Sequence, residues 1–324
     1  MRFGRTPEQT AFADALDDLL GAADTPSAAR SWADGDPAPG LSLWQRLADL
    51  GVTGLLVSEE HDGSGASPVD LAVAFERLGY HGVPGPWIES VAALPGLLAQ
   101  ADETKVLAGI ASGANVATLA VARMAPRALD ADVADHAFTL TTASALYRAE
   151  PADRHESVDA TRHLFDLTPT EQIATVDAGQ SLDLGTLACS AQLLGAGNRL
   201  LDETVAYAQQ RRQFGKPIGA QQAVKHLLTD VRVALDFAAP LVHNASLTLA
   251  PRDVSAAKVA AGDAAYLASR TALQVHGAIG YTREFDLSLW ILKVRALVGA
   301  WGTPAEHRAR ILSLLVEDGL VEAR

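Results

Sequence analysis

Cysteine is almost missing from this chain of 324 residues: Cys189 is the single one, so an internal disulfide is excluded and a reducing compartment fits. No His or Asp motif points at that thiol, which reads as a small buried hydrophobe on a helix. Aromatics reach only 6%, while Ala and Leu dominate, a balance that favours helices over sheets. Positive charge is scarce too. Lys and Arg number 26 against 39 Asp and Glu, and the resulting formal charge of −13 argues against nucleic-acid binding. No run of about 18 apolar residues occurs, and MRFGRTPEQT lacks the apolar stretch of a signal peptide. No membrane insertion and a cytoplasmic location are therefore expected. Neither a G-x-G-x-x-G fingerprint nor a Walker loop is present, which removes the Rossmann and P-loop nucleotide sites.

What is present is a core: 48% hydrophobic residues are enough for two or three packed units. Thr6-Pro7-Glu8-Gln9 offers an N-cap, a first-turn proline and a capping-box glutamine, and Phe12, Ala15, Leu16, Leu19 and Leu20 follow at helical spacing. LSLWQRLADLG and VDLAVAFERLG repeat the pattern, the second capped by Ser67 through Asp70. Between them GVTGLLVSEEHDGSGASP predicts a short extended piece and a Gly/Ser loop, and PGPWIESVAALPGLLAQ predicts more helix. From about 113 the texture changes to short β-type runs, NVATLAVARM, DHAFTLTTASALYRA and RHLFDLTP. After about 183 long helices return. GTLACSAQLLGAGNRLLDETVAYAQQRRQF predicts one helix of roughly eight turns, and Pro240 is expected to end or kink the next at Ala239. Helices of this length on short links pack as an antiparallel bundle. The expected units are thus a helical domain over 1–112, a short β-domain over 113–182 and a helical bundle over 183–324.

Two segments are more polar than a plain bundle requires. QQRRQFGKPIGAQQAVKH places Arg211, Arg212, Lys216 and Lys225 around a Gly-Lys-Pro turn in an acidic protein. QVHGAIGYTREFD is a helix end opened by Gly277 and Gly280, where small residues expose amide donors. Together they suggest an anion site of the pyrophosphate kind; a charged turn beside a Gly-rich helix end is the plainer alternative. His226 and His243 are too far apart for an i, i+4 metal pair, and His276 reads as a packing or interface residue. No metal site is expected.

RRQFGKPIGAQQAVKHLLTDV and QVHGAIGYTREFDLSLW resemble the two C-terminal signatures of the acyl-CoA dehydrogenase family. LWQRLADLGVTGLLVSEEHDGSGASPVDLAVAFERLG is similar to that family's N-terminal helical region. The resemblance implies a mostly α fold with an N-terminal helical domain, a reduced middle β-domain and a C-terminal four-helix bundle. It implies FAD shared across a subunit interface, with the ADP half of a neighbour's flavin held by Arg211, Phe214, Gln222, Gln274 and Gly277. Gln213 stands where the family often has a hydroxyl residue, Ala278 replaces a second glycine, and Thr303 completes the set of cofactor-binding candidates.

The family's reaction removes a proton from Cα of a thioester while Cβ gives hydride to flavin, and the proton needs a carboxylate base. In many members that base precedes Gly-Thr in a Y-E-G-T turn; here the turn reads Ala300-Trp301-Gly302-Thr303, and an indole only donates. The other customary seat falls at Gly185. Asp183 reads as an N-cap, and Glu306 as the N3 member of a capping box with Thr303. No catalytic residue is assigned to this chain. The middle region is short and lacks the T-E-P…G-S-D pattern. These features imply a short, non-catalytic subunit of an α2β2 acyl-CoA dehydrogenase of the steroid side-chain-degrading kind. A larger catalytic partner would complete the site, and an electron-transfer flavoprotein would accept the electrons. The alternatives are a self-sufficient homo-oligomer using Asp183 or Glu306, a flavin monooxygenase on the same fold, and a flavin-free interaction protein.

Overall fold

The computed structural model describes residues 4–320. The N-terminal third is helical: α1 (Pro7–Gly21), α2 (Thr25–Ala33), α3 (Ala38–Asp49), α4 (Pro68–His81), α5 (Leu94–Gln100) and α6 (Thr104–Ala111). Local chemistry starts these helices. Thr6 and Ser67 close capping boxes with Gln9 and Asp70, and Asp24 caps α2 through the amide of Ser27. A wide π-helical turn, Ile88–Ala93, leads into α5, with all six of its residues buried. Residues 52–67 form turns and a single 3-10 turn, Glu59–His61, in place of the expected extended piece. Among the described residues no strand pairs with this stretch.

Five strands follow: β1 (Ala117–Val121), β2 (Ala128–Leu129), β3 (His136–Leu140), β4 (Ala145–His155) and β5 (Leu164–Thr175), in the spatial order β1-β3-β4-β5-β2. β1 and β3 pair in parallel, and the remaining pairs are antiparallel. β1, at one edge of the sheet, is buried along its whole length, whereas residues 150–154 of β4 and 168–172 of β5 are exposed.

The rest is the bundle: α7 (Gly179–Gln210), α8 (Gln222–Thr248), α9 (Pro251–His276), α10 (Leu287–Gly299) and α11 (Pro304–Glu317). The helix predicted to run on to Phe214 stops at Gln210, and RRQF turns instead into a two-stranded hairpin, β6 (Arg212–Gln213) and β7 (Lys216–Pro217). Phe214 and Gly215 both have positive φ, 52° and 80°, the conformation of the tight hairpin turn. Pro240 does not interrupt α8. It faces outward, so the carbonyl it deprives of a partner meets water, while Leu235, Ala238, Val242 and Ala245 keep the buried face continuous. The N-terminal helices join the bundle where α4 meets α7 backbone to backbone. A Cβ at Gly195 would lie 1.9 Å from the carbonyl oxygen of Glu76, and one at Gly79 would lie 2.1 Å from that of Gln192. Only glycine allows that approach.

Candidate functional site

The cofactor-binding candidates gather at one end of the bundle. Tyr207, in the last turn of α7, stacks on His276, the last residue of α9, with ring centroids 4.1 Å apart. Arg211 follows α7 four residues after Tyr207, Gly277 follows His276 directly, and α8 begins with Gln222 one short 3-10 turn after the hairpin. His276 is buried, its Nδ1 donates to the carbonyl of Ala272 at 2.8 Å, and burial pushes its pKa down. Arg211, Gln213, Gln222, Gln274 and Ala278 are exposed. Phe214, at the hairpin tip, is 92% exposed, and its φ of 52° is costly for a bulky side chain. Gly277 has φ 64° and ψ −138°, and a Cβ there would meet nothing within 4 Å. Space for an approaching ligand is therefore present, as are Arg, amide donors and side-chain amides suited to a pyrophosphate and an adenosine. Thr303 lies apart from this group, beyond the 13-residue α10, about 20 Å along the helix axis. Its hydroxyl and amide are engaged with Glu306 in the capping box that starts α11.

The interior seat is built around Trp301. The indole is fully buried and occupies the space over Gly185, where an added Cβ would lie 2.4 Å from Cζ3 of the ring. The two positions at which a base was sought are thus neighbours, and one side chain fills both. Trp301 takes a positive φ of 56°. Its turn is held from several sides: His307 Nε2 donates to the Trp301 carbonyl at 2.9 Å, and the Gly302 amide donates to Met124 at 3.1 Å. Lys258, buried with its pKa lowered by desolvation, donates to the carbonyls of Leu297, Val298 and Gly302 at 3.1, 3.0 and 3.4 Å. A cation at the C-terminus of α10 satisfies carbonyls that the helix leaves free.

A carboxylate not singled out in the sequence stands at this seat. Glu89, on the π-helical turn, is 3% exposed and accepts the indole N–H of Trp301 at 3.2 Å on Oε1. Its Oε2 has no hydrogen-bond partner, and burial raises its pKa against the weaker pull of Arg162. Glu89, Arg162 and Trp301 line a cavity of about 200 Å³ with Met124, Val158 and Ala296. The carboxylates considered from the sequence are committed elsewhere. Asp183 is no N-cap: it sits inside α7, buried, and binds Arg310 through both oxygens at 2.5 and 3.0 Å. The helix starts five residues earlier than an N-cap at Asp183 would place it, with Ala178 as its N-cap and Gly179 and Gln180 in its first turn. Glu306 closes its capping box, and the Thr303 amide and hydroxyl hold its pKa down.

Two family models match the chain: the N-terminal domain of acyl-CoA dehydrogenase over residues 6–114 and the C-terminal domain over 176–314. Acyl-CoA dehydrogenase IpdE2 of Mycolicibacterium smegmatis is 31% identical over 293 residues, covering 89% of this chain and 92% of that protein. The ChsE4–ChsE5 complex of Mycobacterium tuberculosis superposes with a TM-score of 0.83 at 22% identity, covering 98% of this chain and 99% of that one. A steroid ACAD, Tcur3481–Tcur3483, gives 0.84 at 19% identity over 97% and 99%. With IpdE2 matched along nearly its whole length, and with helices, central sheet and bundle in the family's order, the chain belongs to the acyl-CoA dehydrogenase family.

Proposed function

We propose that this chain is the short, non-catalytic subunit of a heteromeric FAD-dependent acyl-CoA dehydrogenase, an α2β2 assembly in which a larger partner carries the base and the isoalloxazine pocket. The observation that carries the reading is the buried Trp301 indole over Gly185: where a carboxylate and a thioester would need room, the space is filled. The exposed hairpin and Gly277 turn support the complementary half, a surface offered to a neighbour's cofactor. Arg211 would clasp pyrophosphate oxygens, the amides after Gly277 would add donors, and Gln222 and Gln274 would bind the adenosine side. Phe214 would cover it. FAD, when bound, supplies the acceptor for the hydride leaving Cβ. Thr303 stays with its helix cap, and residues 1–112, 113–182 and 183–324 serve as the three working units. A steroid-type acyl-CoA is the substrate class we favour, on the likeness to a steroid ACAD. The electron acceptor would be an electron-transfer flavoprotein in the cytoplasm.

The test is expression alone and together with a full-length relative that carries the glutamate. The expected result is a colourless, inactive single chain and a yellow, active complex whose flavin content falls when Arg211→Ala is introduced. A single chain that holds stoichiometric flavin and oxidises an acyl-CoA overturns the proposal. One observation favours a second reading, a self-sufficient enzyme with a relocated base. Glu89 is a desolvated carboxyl with one unpartnered oxygen on the cavity beside both customary seats. Under that reading Glu89→Gln abolishes turnover by the isolated chain; under the first, it leaves the complex active.

A further inference from the structure

Next to the wall of the Trp301 cavity but using none of its lining residues, three potential ligands converge where the turn after β2 meets the start of β5. Asp130, Asp132 and His163 each bring one ligand atom to within 4.8 Å of the other two. Among the described residues this is the one group of three such side chains that meets that distance. The backbone builds the arrangement. Asp130 adopts a left-handed φ of 53°, its amide donates to the carbonyl of His163 at 2.6 Å, and its Oδ1 accepts the His163 amide at 2.9 Å. His163 Nδ1 lies 3.0 Å from Oδ2 of Asp132. A non-glycine residue held in that conformation, tied twice to the same partner, marks a turn whose geometry is over-determined.

The polar atoms there are not used up. Asp130 is fully buried and its Oδ2 has no hydrogen-bond partner; His163 is 3% exposed and its Nε2 has none either. Trp32, from α2, brings its indole to Asp130 without completing a hydrogen bond of ordinary geometry. Two unsatisfied buried groups in one cluster cost stability, about 1–3 kcal/mol each, unless something completes them. Asp132 is partly exposed and gives the cluster access to solvent.

We infer that Asp130, Asp132 and His163 bind one divalent transition-metal ion. Two carboxylates and an imidazole, with no thiolate, form the donor set that suits Zn²⁺ or Mn²⁺, and solvent on the Asp132 side completes the coordination. The ion is a structural pin. It joins the turn at 130–132 to the start of β5 and lies against α2, so it fastens the sheet to the N-terminal helices, behind the wall of the Trp301 cavity that Arg162 and Leu164 help to line. The site is not legible from residue spacing, because Asp132 and His163 stand 31 residues apart and follow no ligand pattern.

The test uses the tag-free full chain, stripped with chelator and titrated with Zn²⁺ alone and with Mn²⁺ alone. Bound metal is counted by elemental analysis and the melting temperature is followed. One ion per chain, with a raised melting temperature, is expected. Asp132→Asn, on the exposed side, keeps the fold and weakens binding by more than about 10–100-fold, the loss typical when only a residue that supports a ligand is changed. His163→Gln abolishes binding, and His226→Gln, on an exposed face of α8, leaves it unchanged. No retained ion with either metal, or uptake that survives both Asp132→Asn and His163→Gln, overturns the inference.

Discussion

Trp301 and Gly185 act as one unit at the scale of the residue. With a Cβ at 185 placed 2.4 Å from the ring, Gly185→Ala forces overpacking and is expected to cost about 1–3 kcal/mol. Trp301→Leu creates a void and costs more, by cavity formation. In the double variant the added methyl enters vacated space, so the two losses are less than additive; urea denaturation of the four proteins reads the coupling. Glu89 makes a separate prediction. Its folded-state pKa is raised, so the stability it permits is complete below the ordinary carboxylate range and is lost as pH rises through the folded value. Glu89→Gln keeps an acceptor for the Trp301 indole and carries no charge. Its melting temperature therefore matches the parent near pH 4 and exceeds it increasingly toward pH 8; equal curves at both pH values refute the burial argument. Neither residue pair is visible in the sequence. Glu89 and Trp301 are 212 positions apart, and Lys258 reaches carbonyls 39 to 44 positions away.

At the scale of the element, the hairpin after α7 shows where local pattern misleads. QQRRQF contains no helix breaker, yet the helix stops at Gln210 and Phe214 and Gly215 take the positive φ of a tight turn. The α8 proline errs in the opposite direction: it breaks one hydrogen bond on the wet face while packing holds the other face straight. Phe214 combines backbone strain with 92% exposure, a cost the isolated chain has no use for. Phe214→Gly relieves the strain and leaves or raises the stability of the chain alone, by about 1 kcal/mol. The same change lowers flavin retention in the complex. Thermal melts and flavin absorbance separate the two effects, and unchanged flavin content removes Phe214 from the cofactor site. The capping boxes at Thr6, Ser67 and Thr303, by contrast, were legible because each closes within three residues.

At the scale of the whole molecule, exposed apolar side chains accompany the exposed cofactor candidates. Phe214, Phe237, Tyr281 and Ile279 are solvent-facing in the single chain, at 92, 75, 76 and 43%. A subunit that covers them by association is stabilised by mass action. At a partner concentration of one hundred times Kd the gain is about 2.7 kcal/mol, so the melting temperature of the pair rises with concentration. A concentration-independent melt, equal to that of the chain alone, denies the obligate partnership. Sequence alone determined what depends on near neighbours and on recognisable segments: helix starts, the β-type middle, the family signatures, and the lack of a carboxylate at 185 and 301. Tertiary structure alone decided that those two positions are one space, that an indole fills it, that Glu89 backs it, and that Asp130, Asp132 and His163 meet. The physical reason is separation along the chain: burial, pKa and coordination depend on which distant residues are brought together, and that is set by packing of the whole core.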